Sequence, residues 1–124
     1  MKNPVRNLVA IMAANPTATA EARVAVLALA KAKDPEGAGE DAVGRIVFTV
    51  EWEPAFKELK ELSTKFKETT FILYGEAFAK QHWISKAVYL GGKATEENTF
   101  SRIDGENFRQ LYQEIFGEAY AASK

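Results

Sequence analysis

Hydrophobic and polar positions follow two periods along this chain, and each change of period marks an element. Ile46, Phe48, Val50 and Trp52 alternate with Val47, Thr49 and Glu51. That period of two, rich in β-branched and aromatic residues, predicts a strand. Pro54 ends it and can open the next helix. From there the period lengthens: Phe56, Leu59, Leu62, Ser63 and Phe66 fall on one helical face, with Lys57, Glu58, Lys60, Glu61 and Lys65 mostly outside it. Glu53–Lys57 and Glu61–Lys65 have the favourable i,i+4 order. The uncharged run from Thr69 to Tyr74 predicts a short central strand. In the run from His82 to Leu90, Trp83, Ala87 and Tyr89 oppose Ile84, Val88 and Leu90, again a strand. Gly91-Gly92 is a hairpin-type turn signal, and the segment from Ala94 to Ile103 suits one more, irregular edge strand. Near Asp104 the pattern returns to a helix, with Phe108, Leu111, Tyr112, Ile115, Phe116 and Ala119 on one unbroken face.

The first third of the chain is less decided. Asn3-Pro4 could open a helix burying Val5, Leu8, Val9 and Met12. As a strand, the same segment puts Val5, Asn7, Val9 and Ile11 on one face and Arg6, Leu8, Ala10 and Met12 on the other. Asn15-Pro16 ends it in either case. A helix should come next, with Thr17 or Thr19 as N-cap, Glu21 in its first turn, Val24, Leu27 and Ala28 inward, and Lys31 and Lys33 in its last turn. The polar, Gly-rich run from Asp34 to Gly44 is expected to be a loop and the most mobile part of the chain. No internal repeat or low-complexity tract stands out.

Composition adds mainly exclusions. With 124 residues, 47% of them apolar and 27% charged, the chain suits one globular domain spanning residues 1–124. It has no cysteine, which removes disulfide frameworks, thiolate zinc sites, Fe–S clusters and cysteine nucleophiles together, and suits a cytoplasmic location. A net charge of −1 lacks the basic excess of a non-specific nucleic-acid binder. No apolar run approaches the ~20 residues of a membrane span.

Some residues resemble a known family. Val5-Arg6-Asn7-Leu8-Val9-Ala10-Ile11 is similar to the V-x-N-x-(L/V)-x-I opening strand of the YubB-type ferredoxin-like domain of phage and plasmid proteins. Phe48-Thr49-Val50-Glu51-Trp52-Glu53-Pro54 resembles that family's F-x-T-x-W-S-P-P element, and the stretch from Leu62 to Glu76 is similar to the family's next helix end and strand. The likeness covers about half of the chain. The family's Trp-Gly-Thr-Lys-Trp segment is replaced by the loop Asp34 to Gly44, and Pro54 is unpaired. The resemblance implies that Val5–Met12 is a strand, giving the order β-α-β-α-β-β-α: an α+β, ferredoxin-like sheet of about four strands with three helices. It also implies a mobile-element setting, in which small accessory proteins often bind a host protein.

Candidate chemistry is sparse. His82 is the sole histidine, so no paired-histidine metal motif exists, and neither a metal nor a cofactor is implied. As a general base, His82 would need an orienting partner such as Glu76 or Asp104, and a small enzyme could be built from His82, Glu76 and Tyr74. The plainer expectation is that His82 starts a strand and makes one surface hydrogen bond. Trp52-Glu53-Pro54 could be a recognition corner with Trp52 as anchor; the plainer alternative packs Trp52 under the adjoining helix. Tyr74, Phe78, Trp83 and Tyr89 could stack bases on an open sheet face, but no RNP-like sequence accompanies them. Gly75 and Gly117 read as a turn and a helix-breaker. The C-terminal helix either completes a helical layer or docks on a second subunit, leaving monomer and homodimer open.

The chain therefore reads as a non-enzymatic protein-binding accessory protein, with a host protein, for instance a defence protein, as partner. Its candidate contacts are the Asp34–Gly44 loop, the Trp52–Pro54 corner and the Glu76–Trp83 connection, with Trp52, Glu53, Glu76, Lys80, His82 and Trp83 as the binding residues. The alternatives are the His82 enzyme and single-stranded nucleic-acid binding through the sheet.

Overall fold

The structure, a computed structural model, describes residues 3–78 and 80–120. Its strands are β1 (Pro4–Met12), β2 (Gly39–Glu40), β3 (Ile46–Glu51), β4 (Thr70–Phe78), β5 (His82–Leu90) and β6 (Lys93–Ser101). Its helices are α1 (Pro16–Lys33), α2 (Phe56–Ser63) and α3 (Glu106–Phe116), the last preceded by a 3-10 turn at Arg102–Asp104. The fold is α+β with a six-stranded sheet in the order β2-β3-β1-β4-β5-β6, and every neighbouring pair is antiparallel. The expected sheet of four strands is thus too small. β2 is two residues long, too short to show a period, whereas β6, charged and exposed along most of its length, is the irregular edge strand expected of Ala94–Ile103.

The first segment is a strand, and a central one. β1 lies between β3 and β4, antiparallel to both. β3, α2 and β4 therefore make a split βαβ unit with β1 inserted in it. The apolar runs of β1, β4 and β5 bury both of their faces, so both faces of the sheet need cover. Helices α1 and α2 pack on one face, where Val9, Val26, Phe48, Leu59, Phe71 and Leu73 form the larger core. α3 covers the other, with Phe108, Leu111 and Ile115 against Leu8, Tyr74 and Ile84. The C-terminal helix thus neither joins the first helical layer nor needs a second subunit to cover its apolar stripe.

Several local expectations shift. Asn15, not a threonine, caps α1: its side chain accepts from the Ala18 N–H at 2.8 Å, with Pro16 at the first helical position. α1 buries Ala22, Val26 and Ala30 while Val24 is exposed, because an alanine-rich helix is apolar nearly all round and its sequence does not name the inward face. The Asp34–Gly44 segment is pinned rather than loose. Asp34 accepts from the Gly37 and Thr49 N–H groups, and Asp41 accepts from the Val43 and Arg45 N–H groups and the Arg45 guanidinium. Gly91-Gly92 does form the β5–β6 hairpin, with φ of 60° and 81°, the left-handed pair such a turn needs.

Gly75 is not a turn but the middle of β4. A Cβ there would lie 2.6 Å from the Pro54 Cγ and 2.6 Å from the Ser85 Oγ. The glycine is what lets the Trp52–Pro54 corner sit directly on the sheet.

Candidate functional site: a groove between Trp52 and Trp83

The corner between β3 and α2 is held from below by one buried side chain. Asn7, on β1, donates from its Nδ2 to the carbonyls of Val5 (3.2 Å) and Phe48 (3.3 Å), and its Oδ1 accepts from the Ala55 N–H at 3.0 Å. That last bond caps α2, which has no capping side chain of its own. Above this anchor the chain turns sharply. The Glu53 and Phe56 N–H groups donate two residues back, to Glu51 and Pro54, and the Trp52 N–H donates to the Asn3 carbonyl at 2.9 Å. Trp52 takes a φ of 76°, alone among the described non-glycine residues in being positive. A bulky residue in that region costs about 1–3 kcal/mol and persists only where its surroundings impose it. The turn takes Trp52 out of the inward row of Ile46, Phe48 and Val50, so it does not pack under α2 and is 67% exposed.

Trp52 instead forms one wall of a groove whose other wall is Trp83, on β5. A cavity of about 350 Å³ lies between them, floored by Val5, Gly75, Ala77 and Ser85 and closed toward α2 by Pro54 and Phe56. It shares Val5, Trp52, Ala77 and Trp83 with a second cavity of about 700 Å³, which runs on past Asn3, Phe78, Lys80 and Gln81. The Ser85 side chain, 4% exposed, lies under Pro54, and among the described residues its hydroxyl has no hydrogen-bond partner. Glu53 borders the first cavity and Lys80 the second. Phe78, also 67% exposed, borders the Lys80 end of the second cavity from the opposite face of the sheet.

Of the residues singled out from sequence, Trp52, Glu53, Glu76, Lys80 and Trp83 border this groove. His82 does not. Together with Phe78 it belongs to the opposite face, where its ring stacks on Phe78 and meets the edges of Phe108 and Tyr112. It is 8% exposed, and its Nε2 lies 2.8 Å from the Glu76 Oε2, a carboxylate that Arg6 also approaches at 3.7 Å. The expected surface hydrogen bond is therefore a buried one, and His82 lines neither cavity. Tyr74 does not complete a catalytic set with it. The Tyr74 hydroxyl donates to Glu114 at 2.7 Å, and burial together with the Glu114 carboxylate drives its pKa well up. Nor do the aromatics form a base-stacking platform: Tyr74 and Phe78 face α3, whereas Trp83 and Tyr89 face the opposite side. Among the described residues no three His, Asp or Glu side chains converge as a metal site would require, and no helix is long and apolar enough to cross a membrane.

A polar cluster at the far end of the α3 face contrasts with the groove. Glu114 accepts from Tyr74 and pairs with Lys86 at 2.8 Å. Burial alone would raise the Glu114 pKa; the hydrogen bonds from Lys86 and Tyr74 outweigh it and hold the carboxyl below its ordinary range. Arg45 donates to the Ile115 carbonyl at 2.6 Å, placing a cation at the C-terminal end of α3, and pairs with Asp41. At Asp41 too, burial is outweighed by Arg45, and the pKa falls.

No family model matches the chain, and no curated protein or solved structure matches it.

Sequence reasoning missed Asn3 and Val5 as groove residues, and covered Ala77 and Gln81 only as part of the Glu76–Trp83 connection. They come from the ends of strands whose adjacency is set by the sheet order. The one signal pointing toward them was the expectation that Trp52 and Trp83 end or begin strands.

Proposed function

We propose that this chain is a non-enzymatic binding protein that captures a partner protein in the groove between Trp52 and Trp83. The observation that carries this reading is Trp52 itself: a large apolar side chain, 67% exposed, held outward by a left-handed backbone that costs stability. Tryptophans in apolar clefts are among the commonest anchors of protein interfaces. The other unusual group, the His82–Glu76 pair, has its imidazole closed in by aromatic rings, and His82 lines neither cavity. The YubB-like residues of β1 and of the Trp52–Pro54 corner support a phage or mobile-element setting, with a host protein as the partner.

The test is capture from nuclease-treated host lysate by the tagged wild-type protein and by Trp52→Ala, with mass-spectrometric readout. One stoichiometric protein is expected with the wild type and none with the variant, whose melting temperature stays within a few degrees because Trp52 is mostly exposed. Equal recovery by both proteins, or recovery that depends on nucleic acid, would sink the reading.

A further inference from the structure

The groove is open along its length, apolar in the middle and oppositely charged at its two ends. Glu53 and Lys80 are both exposed, and among the described residues neither has an ion-pair partner. What distinguishes them from other exposed charges is their place: Glu53 borders the first cavity and Lys80 the second. Between the two free charges the walls are Trp52 and Trp83 and the floor is Val5 and Ala77. A cavity of about 350 Å³ is at the small end for a whole ligand and suits one large side chain; the adjoining 700 Å³ continues as an open trough.

Resting on the binding reading above, we infer that the occupant is an extended peptide segment of the partner. Its aromatic side chain enters the cavity between the two tryptophans, a basic residue on one side of that anchor lies at Glu53, and an acidic residue on the other side lies at Lys80. Three features favour this occupant. An extended strand or loop fits along an open trough, whereas a compact small molecule needs an enclosing cavity. The two unpaired charges of opposite sign read the direction of a chain, which a uniformly anionic nucleic acid would not match, because its phosphates would meet Glu53. A second copy of this chain is disfavoured because α3 already covers its own sheet face and leaves no helix searching for a groove.

The experiment is selection from a displayed library of random short peptides against the wild type, Trp52→Ala, Glu53→Lys and Lys80→Glu, each first checked for a native circular dichroism spectrum. From the wild type, enrichment is expected of sequences with an aromatic residue flanked by a basic residue on one side and an acidic residue on the other. Glu53→Lys should exchange the basic preference for an acidic one, Lys80→Glu should do the reverse, and each should weaken the wild-type peptides about tenfold. Enrichment that needs Trp52 but ignores both charge changes overturns this inference and leaves the groove reading intact. Enrichment indifferent to Trp52 overturns both. No enrichment, groove-dependent self-association, or Trp52-dependent binding of a labelled oligonucleotide overturns the peptide assignment.

Discussion

The two faces of this sheet treat polar groups in opposite ways. On the α3 face nearly every charge has been given a partner: Glu76 meets His82 and Arg6, Glu114 meets Lys86 and Tyr74, and Arg45 bridges Asp41 and the end of α3. On the α2 face, among the described residues, the corner leaves a buried serine hydroxyl without a hydrogen bond and a tryptophan exposed at a strained φ. Satisfied groups are expected where the architecture is the purpose, and unsatisfied ones where something else is meant to complete them. The pair that looked most like chemistry, His82 with Glu76, belongs to the first kind. The corner that looked like packing belongs to the second.

The contrast between the faces is most exposed at the support under the groove. Replacing Asn7 by alanine should cost about 2–4 kcal/mol, since it strands the buried Ala55 N–H and takes the side-chain donor from the Val5 and Phe48 carbonyls. Thermal unfolding measures the loss, and partner capture should fall with it because the corner loses its anchor. A near-native melting temperature would mean that the corner holds its shape by other means. Gly75→Ala comes next, at about 1–3 kcal/mol, because the added methyl meets Pro54 and Ser85 at 2.6 Å and something must move. Here the corner should lift while the rest of the sheet stays folded, so hydrogen exchange should quicken at Glu53, Ala55 and Phe56 before it does in β1.

How much of this was legible in the sequence depends on whether a feature is local. The alternation of Ile46, Phe48 and Val50, the stripe of Phe108, Leu111 and Ile115 and the Gly91-Gly92 turn each carry their signal within a few residues, and the structure forms them as expected. β6 was expected only as an irregular edge and β2 not at all, because exposed edge strands take charged or glycine residues and lose their period. The position of α3 on the far face depends on strands that are apolar on both sides, which became decisive only once the sheet order placed β1 and β4 in the middle. The groove is least local of all. Trp52 and Trp83 belong to different parts of the chain, and nothing in the composition of the Trp52-Glu53-Pro54 corner announces a positive φ.

The α3 face can be probed by pH. Asp41 and Glu114 have folded-state pKa values below their ordinary values of 3.8 and 4.5. A depressed pKa means that the folded form prefers the carboxylate. The stabilisation is therefore complete above the unfolded values and is lost as pH falls through the folded ones. The melting temperature should hold near neutrality and decline from about pH 5 toward pH 3. Glu114→Gln should begin lower at neutral pH and decline less on acidification. Parallel profiles would show that Glu114 gains nothing from Lys86 and Tyr74, and the α3 face would no longer contrast with the groove. Neither profile should involve Trp52 or Lys80, which are remote from this cluster in the sheet.

The smallest effect has the opposite sign and separates the two faces most sharply. Trp52→Gly removes a mostly exposed side chain and places at φ 76° the residue that tolerates it best. Relief of strain is opposed by the greater freedom of glycine in the unfolded chain, so the net gain should be modest, about 0.5–1 kcal/mol, read as a slightly higher melting temperature. The same variant should lose the partner altogether, because the anchor wall is gone. Stability rising while binding vanishes would identify Trp52 as a residue kept for what it touches outside the molecule. If the melting temperature fell instead by as much as for Gly75→Ala, Trp52 would be holding the corner together. The groove would then be a by-product of packing, as closed in its purpose as the face beneath α3.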